Sequence, residues 1–375
     1  MVDLWMSFLL FVFGLAALAL GASLLVRGAS LLALRLGLSP LVVGLTVVAF
    51  GTSAPEMAVS TDAVLSGQVG LAVGNAVGSN IFNVLFILGI AALITPLAVH
   101  RQVIQQEVPI MIGAAVLLIV LGVDGSLSLF DSLLLLGLLA AYTVFLVRQS
   151  RAEPAAPGRD EFADELQPAP GGRWDATLAA QIGLVVAGLV LLVLGSEGLV
   201  RAAVVFARAL GLSEVIIGLT IVAAGTSLPE LAASVMASLK GERDIAVGNV
   251  VGSCIFNLFG IVGLGGLVAS LGGSELPLPP DVARFDLWVM LAALLAWAIG
   301  AFCVRLDEVY FAMLTLAFGM MVYAIVHQWR SLTNGSDGIA GFPLGRFGLG
   351  LDLQLADPAV YYRVVLVVVA IAALL

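Results

Sequence analysis

The sequence predicts an all-α polytopic membrane protein, with ten transmembrane helices arranged as two inverted five-helix repeats and an eleventh, C-terminal crossing left open. Three observations carry this expectation. Of 375 residues, 61% are hydrophobic and 11% charged, where an ordinary soluble domain carries about 25% charged residues. The apolar residues fall in long runs, and a hydrocarbon core about 30 Å thick needs about 20 of them per helical crossing. A pair of long motifs also recurs at a fixed separation.

Split at charged or Gly/Pro-rich breaks, the runs place helices near 5–26, 39–66, 69–94, 102–122 and 126–147. A second set falls near 176–200, 213–239, 244–270, 285–304 and 308–329. The first run ends in Ala17-Leu18-Ala19, which looks like a cleavage site, but Asp3 and the lack of positive charge before the run favour a retained helix. Between the sets, Gln149–Trp174 carries four prolines and five acids and reads as a solvated linker. It lacks the spaced acids and glycine of a calcium loop. The chain thus divides into a first repeat (1–148), a cytoplasmic linker (149–174), a second repeat (175–330) and an extension (331–375), in which Ala359–Leu375 is either a further crossing or a membrane-surface tail.

The motif Gly44-Leu-Thr-Val-Val-Ala-Phe-Gly-Thr-Ser-Ala-Pro-Glu56 returns as Gly218-Leu-Thr-Ile-Val-Ala-Ala-Gly-Thr-Ser-Leu-Pro-Glu230, an offset of 174. Gly74-Asn-Ala-Val-Gly-Ser-Asn-Ile-Phe-Asn83 returns as Gly248-Asn-Val-Val-Gly-Ser-Cys-Ile-Phe-Asn257 at the same offset. Five crossings per unit is an odd number, so the second unit enters the membrane from the opposite face, as in many secondary transporters. With the N-terminus outside, Arg27, Arg35, Arg101, Arg148, Arg151, Arg159, Arg173, Lys240, Arg243 and Arg305 fall in inside connections. Arg201, Arg208, Arg284 and Arg330 fall outside.

Each Gly-Thr-Ser-X-Pro-Glu motif puts a carboxylate in an apolar helix, where a charge at the bilayer centre costs at least about 2.5–3.5 kcal/mol and marks an ion or proton path. Pro55 and Pro229 clash with the carbonyls of Gly51 and Gly225 and free backbone oxygens there. Thr52 and Glu56, like Thr226 and Glu230, share a helical face, and Asn75, Ser79, Asn83 with Asn249, Ser253, Asn257 form two polar stripes. All these donors are hard oxygens, suited to calcium and sodium, whereas magnesium demands stricter geometry. Packing alone accounts for the serines and glycines, but not for a duplicated Pro-Glu. His100 and His327 read as interfacial and Asp124 as a turn residue.

Other classes are excluded in turn. A net charge of −9 with 16 basic residues lacks the basic surface nucleic acid needs. Cys254 and Cys303 have no paired ligand spacing and read as membrane-facing packing residues. Neither a His-Glu-x-x-His nor a Gly-x-Ser-x-Gly motif occurs.

The duplicated motifs resemble the two α-repeats of the calcium/cation antiporter superfamily, closest to its prokaryotic sodium/calcium exchangers. The resemblance implies a central diamond of ion sites with Glu56 and Glu230 as main calcium ligands. Thr52, Thr226, Ser53, Ser227, Ser79 and Ser253 would add oxygens to the sodium sites, with the carbonyls of Ala49 and Ala223, and Asn83 would keep its family position. Many relatives carry Asp where this chain has Asn257, so the site reads as two carboxylates and two amides, which argues against proton coupling through that position. The resemblance further implies a monomeric antiporter in the prokaryotic inner membrane, surrounded by lipid, with calcium and sodium as transported ions and no resident cofactor. Calcium/proton exchange and a passive cation channel are the alternatives.

Overall fold

The computed structural model describes residues 2–95, 100–152, 175, 177–209, 223–280 and 282–303. The first helix, α1 (Val2–Leu36), runs ten residues past its expected end because nothing breaks it before Gly37, whose φ of 68° lets the chain turn. Ser39 then caps the next helix by accepting the Val42 N–H at 3.2 Å, with Pro40 in the first turn. That helix is broken: α2 (Pro40–Thr52) and α3 (Ala54–Leu65) meet at Ser53 with a bend of 43°. After it come α4 (Val69–Ile94), α5 (Val103–Asp124) and α6 (Leu129–Ala152).

In the second half, α7 (Leu178–Ala209) is followed by α8 (Ala223–Thr226) and α9 (Leu228–Leu239), again broken at a serine, Ser227. Then follow α10 (Arg243–Leu271) and α11 (Val282–Gly300). Among the described residues, seven helices are long and apolar enough to cross a membrane, or eight with the α2–α3 pair as one span. Large apolar side chains such as Trp5, Phe13, Leu20 and Phe130 stay exposed on these helices, as lipid-facing surfaces require, and the chain is an integral membrane protein. The expected helix 308–329, most of the linker and the extension 331–375 lie outside the described residues.

The offset of 174 reappears in local structure. Gly67 and Gly241 both adopt positive φ, 76° and 79°, and each closes the turn between two helices of a motif pair. The N–H groups two-thirds through these turns reach back alike, Gln68 to Ala63 O at 2.7 Å and Glu242 to Ala237 O at 2.9 Å. Both second motifs pass from α to π geometry at the asparagine, over Asn83–Ile87 and Asn257–Ile261. A π turn displaces carbonyls from the helical ladder and is frequent at functional sites.

Helix α10 lies deepest, every residue from Ile245 to Gly263 being buried. Helices α1 and α7 run antiparallel in close contact. A Cβ on Gly21 would fall 2.8 Å from Gly188 O, and one on Gly14 2.9 Å from Gly195 O. One departure from an all-α fold is a short antiparallel ribbon, β1 (Ser126–Leu127) with β2 (Leu276–Pro277), after a turn in which Asp124 accepts the Ser126 N–H.

Two expectations are corrected. Arg27, Arg35, Arg148, Arg151, Arg201 and Arg208 are not in connections. All lie within helices, Arg27 bonded to Asp175 at 2.5 and 2.9 Å and Arg201 paired one turn back with Glu197. Cys254 does not face lipid; it is fully buried in α10.

Candidate functional site

The two Gly-Thr-Ser-X-Pro-Glu motifs meet where α2–α3 and α8–α9 break. Proline at the second position of α3 and of α9 has no N–H to give, so each helix restarts there and the preceding serine takes a non-helical conformation. Glu56 and Glu230 follow in the first turn of the new helices, where backbone N–H groups favour an anionic side chain. Both are fully buried, as are Thr52, Ser53, Ser227, Ser253, Asn83 and Asn257 to within 1% exposure, with Ser79 at 5%.

The halves exchange contacts. Ser53 Oγ donates to Glu230 Oε1 at 3.0 Å, and Ser227 Oγ lies 3.3 Å from both Glu56 Oε1 and Ser79 Oγ. The two carboxyl groups are close neighbours, near enough for one proton to bridge them. Asn75 and Asn249 act as braces: Asn75 Nδ2 donates to Glu56 O at 3.3 Å and Ser60 Oγ at 2.9 Å, and Asn249 Nδ2 donates to Glu230 O at 3.2 Å and Ser234 Oγ at 2.9 Å. Thr52 gives its hydroxyl proton to Asn249 Oδ1 at 3.0 Å, which leaves its oxygen lone pairs as acceptors.

Several buried oxygens in this region have no hydrogen-bond partner: Glu56 Oε2, Glu230 Oε2, Asn83 Oδ1, Asn257 Oδ1 and Ser253 Oγ. A buried polar atom left unpaired costs about 1–3 kcal/mol, more when charged, and each of these oxygens can accept from a donor or coordinate a cation. Glu107 shows the contrast. It is also fully buried, but Gln102 (3.1 Å) and Gln106 (2.8 Å) donate to its Oε1 and the Tyr142 hydroxyl (2.6 Å) to its Oε2. Both of its oxygens are satisfied by protein, whereas Oε2 of Glu56 and of Glu230 is not. Among the described residues no group of three or more His, Cys, Asp or Glu gathers; the two motif pairs bring two carboxylates and otherwise neutral oxygens.

The remaining predicted ligands are placed as follows. Thr226 is partly buried, one residue before the second break. Ala49 is fully buried and its carbonyl already accepts the Ser53 N–H at 3.0 Å. Ala223 begins α8, and there the serine N–H bonds instead to Ala224 O at 3.2 Å. The carbonyl of Gly225, expected to be freed by Pro229, is taken up by the Ser196 hydroxyl of α7 at 2.6 Å. Ser196 lies in another helix, outside both motifs, and its repeat partner is Ala22, so no repeated pattern marks it. Asn80 is likewise unmarked, although it stands at the one polar mismatch between the second motifs, opposite Cys254. Equal composition therefore does not give the two amides equal surroundings. Asn257 is hydrogen-bonded to Asn80 at 3.0 Å, whereas the Asn83 amide has no nitrogen or oxygen partner and meets only the Cys254 thiol, a weak one.

The model of the family described as "Sodium/calcium exchanger protein" matches residues 6–148 and 180–328. The putative antiporter CaxA of Alkalimonas amylolytica is 42% identical over 66% of this chain and 75% of its own length. The sodium/calcium exchanger MaX1 of Methanosarcina acetivorans is 33% identical over 85% of this chain and 99% of its own. Among solved structures, the sodium-calcium exchanger NCX_Mj superposes with a TM-score of 0.67 at 28% identity, over 84% of this chain and 99% of that one.

Proposed function

The chain belongs to the sodium/calcium exchanger protein family, and from that premise we propose that it is a secondary antiporter exchanging calcium for sodium across the prokaryotic inner membrane by alternating access. The observation that carries this reading is the set of unpaired buried oxygens on the two motif pairs, led by Glu56 Oε2 and Glu230 Oε2 just after the helix breaks. Two carboxylates balance one calcium or two sodium ions, and neutral oxygens complete either shell. A cage that suits both cations, but not both at once, couples their movements. Thr52, Thr226, Ser53, Ser227, Ser79, Ser253, Asn83, Asn257 and the carbonyls of Ala49 and Ala223 are the proposed neutral ligands.

In this reading ten helices form two inverted halves, with the N-terminus outside and the linker in the cytoplasm. The antiparallel packing of α1 against α7 supports the inversion and suits movement of the two as one body past the core. The protein works as a monomer in lipid, without a cofactor.

Calcium/proton exchange is the second reading, since two facing buried carboxylates can also carry protons. Calcium flux into proteoliposomes, with sodium, potassium and pH gradients imposed one at a time, separates the two. Uptake driven by the sodium gradient at equal pH is expected. Uptake driven by pH alone would replace sodium by protons, and unsaturable flux without any counter-ion would indicate a channel.

A further inference from the structure

Asn257 has two chemically different ends, and only one of them can serve a cation. Which end faces the cage is decided by a chain of hydrogen bonds that begins on the backbone. The Cys254 carbonyl sits where α10 turns from α to π geometry, and the Asn257 N–H reaches it there together with Ser253 O. It also accepts from Asn80 Nδ2 at 3.1 Å. A carbonyl can only accept, so Asn80 must turn its NH2 toward Cys254 and its Oδ1 away. Met290 Sδ, a weak acceptor 3.6 Å from the same Nδ2, reinforces that orientation. Asn80 Oδ1 can then only accept, and it accepts Asn257 Nδ2 at 3.0 Å. With its NH2 committed, Asn257 is left with a buried Oδ1 that has no protein partner.

We propose that Asn80 is a positioning residue that fixes the Asn257 amide with its carbonyl oxygen presented to the transported cation, and that the first half has no equivalent device for Asn83. The residue equivalent to Asn80 in the second half is Cys254, which has no carbonyl oxygen in its side chain to hold an amide. The Asn83 amide accordingly has only that thiol, a weak donor and weak acceptor, beside it and no nitrogen or oxygen partner. One amide of the cage is therefore pre-oriented, and the other turns to suit the ion. An amide that flips presents its NH2 to the cation, which is repulsive, so the fixed orientation raises affinity without entering the coordination shell itself.

This rests on the cation cage of the proposed function, and the test keeps the two apart. Purified full-length protein in detergent is titrated calorimetrically with calcium, and separately with sodium. Wild type is compared with Asn80→Leu, which deletes the relay, and with Asn80→Ser, a milder change that keeps the position polar but holds no fixed direction. The apparent calcium Kd should rise about tenfold in both, equivalent to one lost, well-oriented hydrogen bond. The same substitutions are then made in an Asn257→Asp background. Both terminal atoms of aspartate are oxygens and need no orienting, so removing Asn80 there should change Kd by less than about twofold or lower it.

An equal loss in both backgrounds would make Asn80 a merely structural residue and overturn the proposal. So would an unchanged Kd in the Asn257 background. Calcium binding by wild type with no response to either Asn80 variant would sink this inference alone. A wild type that binds neither cation would remove the cage and the inference together.

Discussion

Ser53 reaches across 177 residues of sequence to donate its hydroxyl to Glu230 at 3.0 Å. The contact is returned from the other half, where Ser227 approaches Glu56 at 3.3 Å. Each motif thus supplies a carboxylate on its own account and a hydroxyl to the carboxylate of its partner. The serine hydroxyl that meets each carboxylate comes from the other half, which gives the duplication a physical role beyond filling the membrane.

Replacing Glu56 or Glu230 with Gln keeps size and shape but removes one of two charges opposing a divalent ion. Sodium-dependent calcium uptake in proteoliposomes is expected to fall by more than about 100-fold in either variant, the scale of an interaction worth at least about 3 kcal/mol. Elution as a single folded species on size exclusion should be unchanged, because an unpaired buried carboxylate is itself a cost. Exchange near the wild-type rate in either variant would move the site elsewhere.

The serine contacts are graded by distance. Ser53→Ala removes the shorter bond and leaves Glu230 Oε1 without that donor, so the half-saturating calcium concentration should rise about five- to tenfold with little change in maximal rate. Ser227→Ala removes a hydroxyl that lies between Glu56 and Ser79 at 3.3 Å from each, and a smaller rise is expected. Measured uptake against calcium concentration checks the order, and a larger effect at Ser227 would reverse it.

Much of this was legible in the sequence, for a reason that also sets its limit. Repetition at a fixed offset made Glu56, Glu230 and the polar stripes stand out against an apolar background, and the structure brings the serines and carboxylates together across the halves. What repetition conceals is difference. Ser196 holds the Gly225 carbonyl where its counterpart is Ala22, and Asn80 holds Asn257 where its counterpart is Cys254. Both depend on which helices become neighbours, and Glu107 with Tyr142 does as well. Helix ends are less legible for another reason: a charge such as Arg27 reads as part of a connection, but its partner Asp175 lets it sit within α1.

The Ser196 contact has a measurable cost. Pro229 has already taken one donor from the Gly225 carbonyl, and the Ser196 hydroxyl replaces it at 2.6 Å. Ser196→Ala would leave that oxygen unpaired inside the protein, at about 1–3 kcal/mol. A lower thermal midpoint in detergent is expected, restored by Ser196→Thr, which keeps the hydroxyl. An unaltered midpoint in Ser196→Ala would show that another donor takes over.

Close approach of α2 and α10 is the last element the site needs, and Gly252 permits it. A Cβ at Gly252 would sit 2.6 Å from Leu45 O and 2.7 Å from Ala49 Cβ, distances that backbone can relieve only by moving apart. Such overpacking costs about 1–3 kcal/mol. The separation would also stretch the 3.0 Å bond from Thr52 on α2 to Asn249 on α10, so Gly252→Ala should lower both the thermal midpoint and calcium affinity. Gly137 of α6 is the control: nothing lies within 4 Å of its Cβ position and it faces outward. Gly137→Ala should leave transport unchanged and stabilise the helix by about 0.5–1 kcal/mol, through the lower backbone entropy of the unfolded chain. Equal responses at the two glycines would mean that helix propensity, not the approach of α2 to α10, decides the outcome.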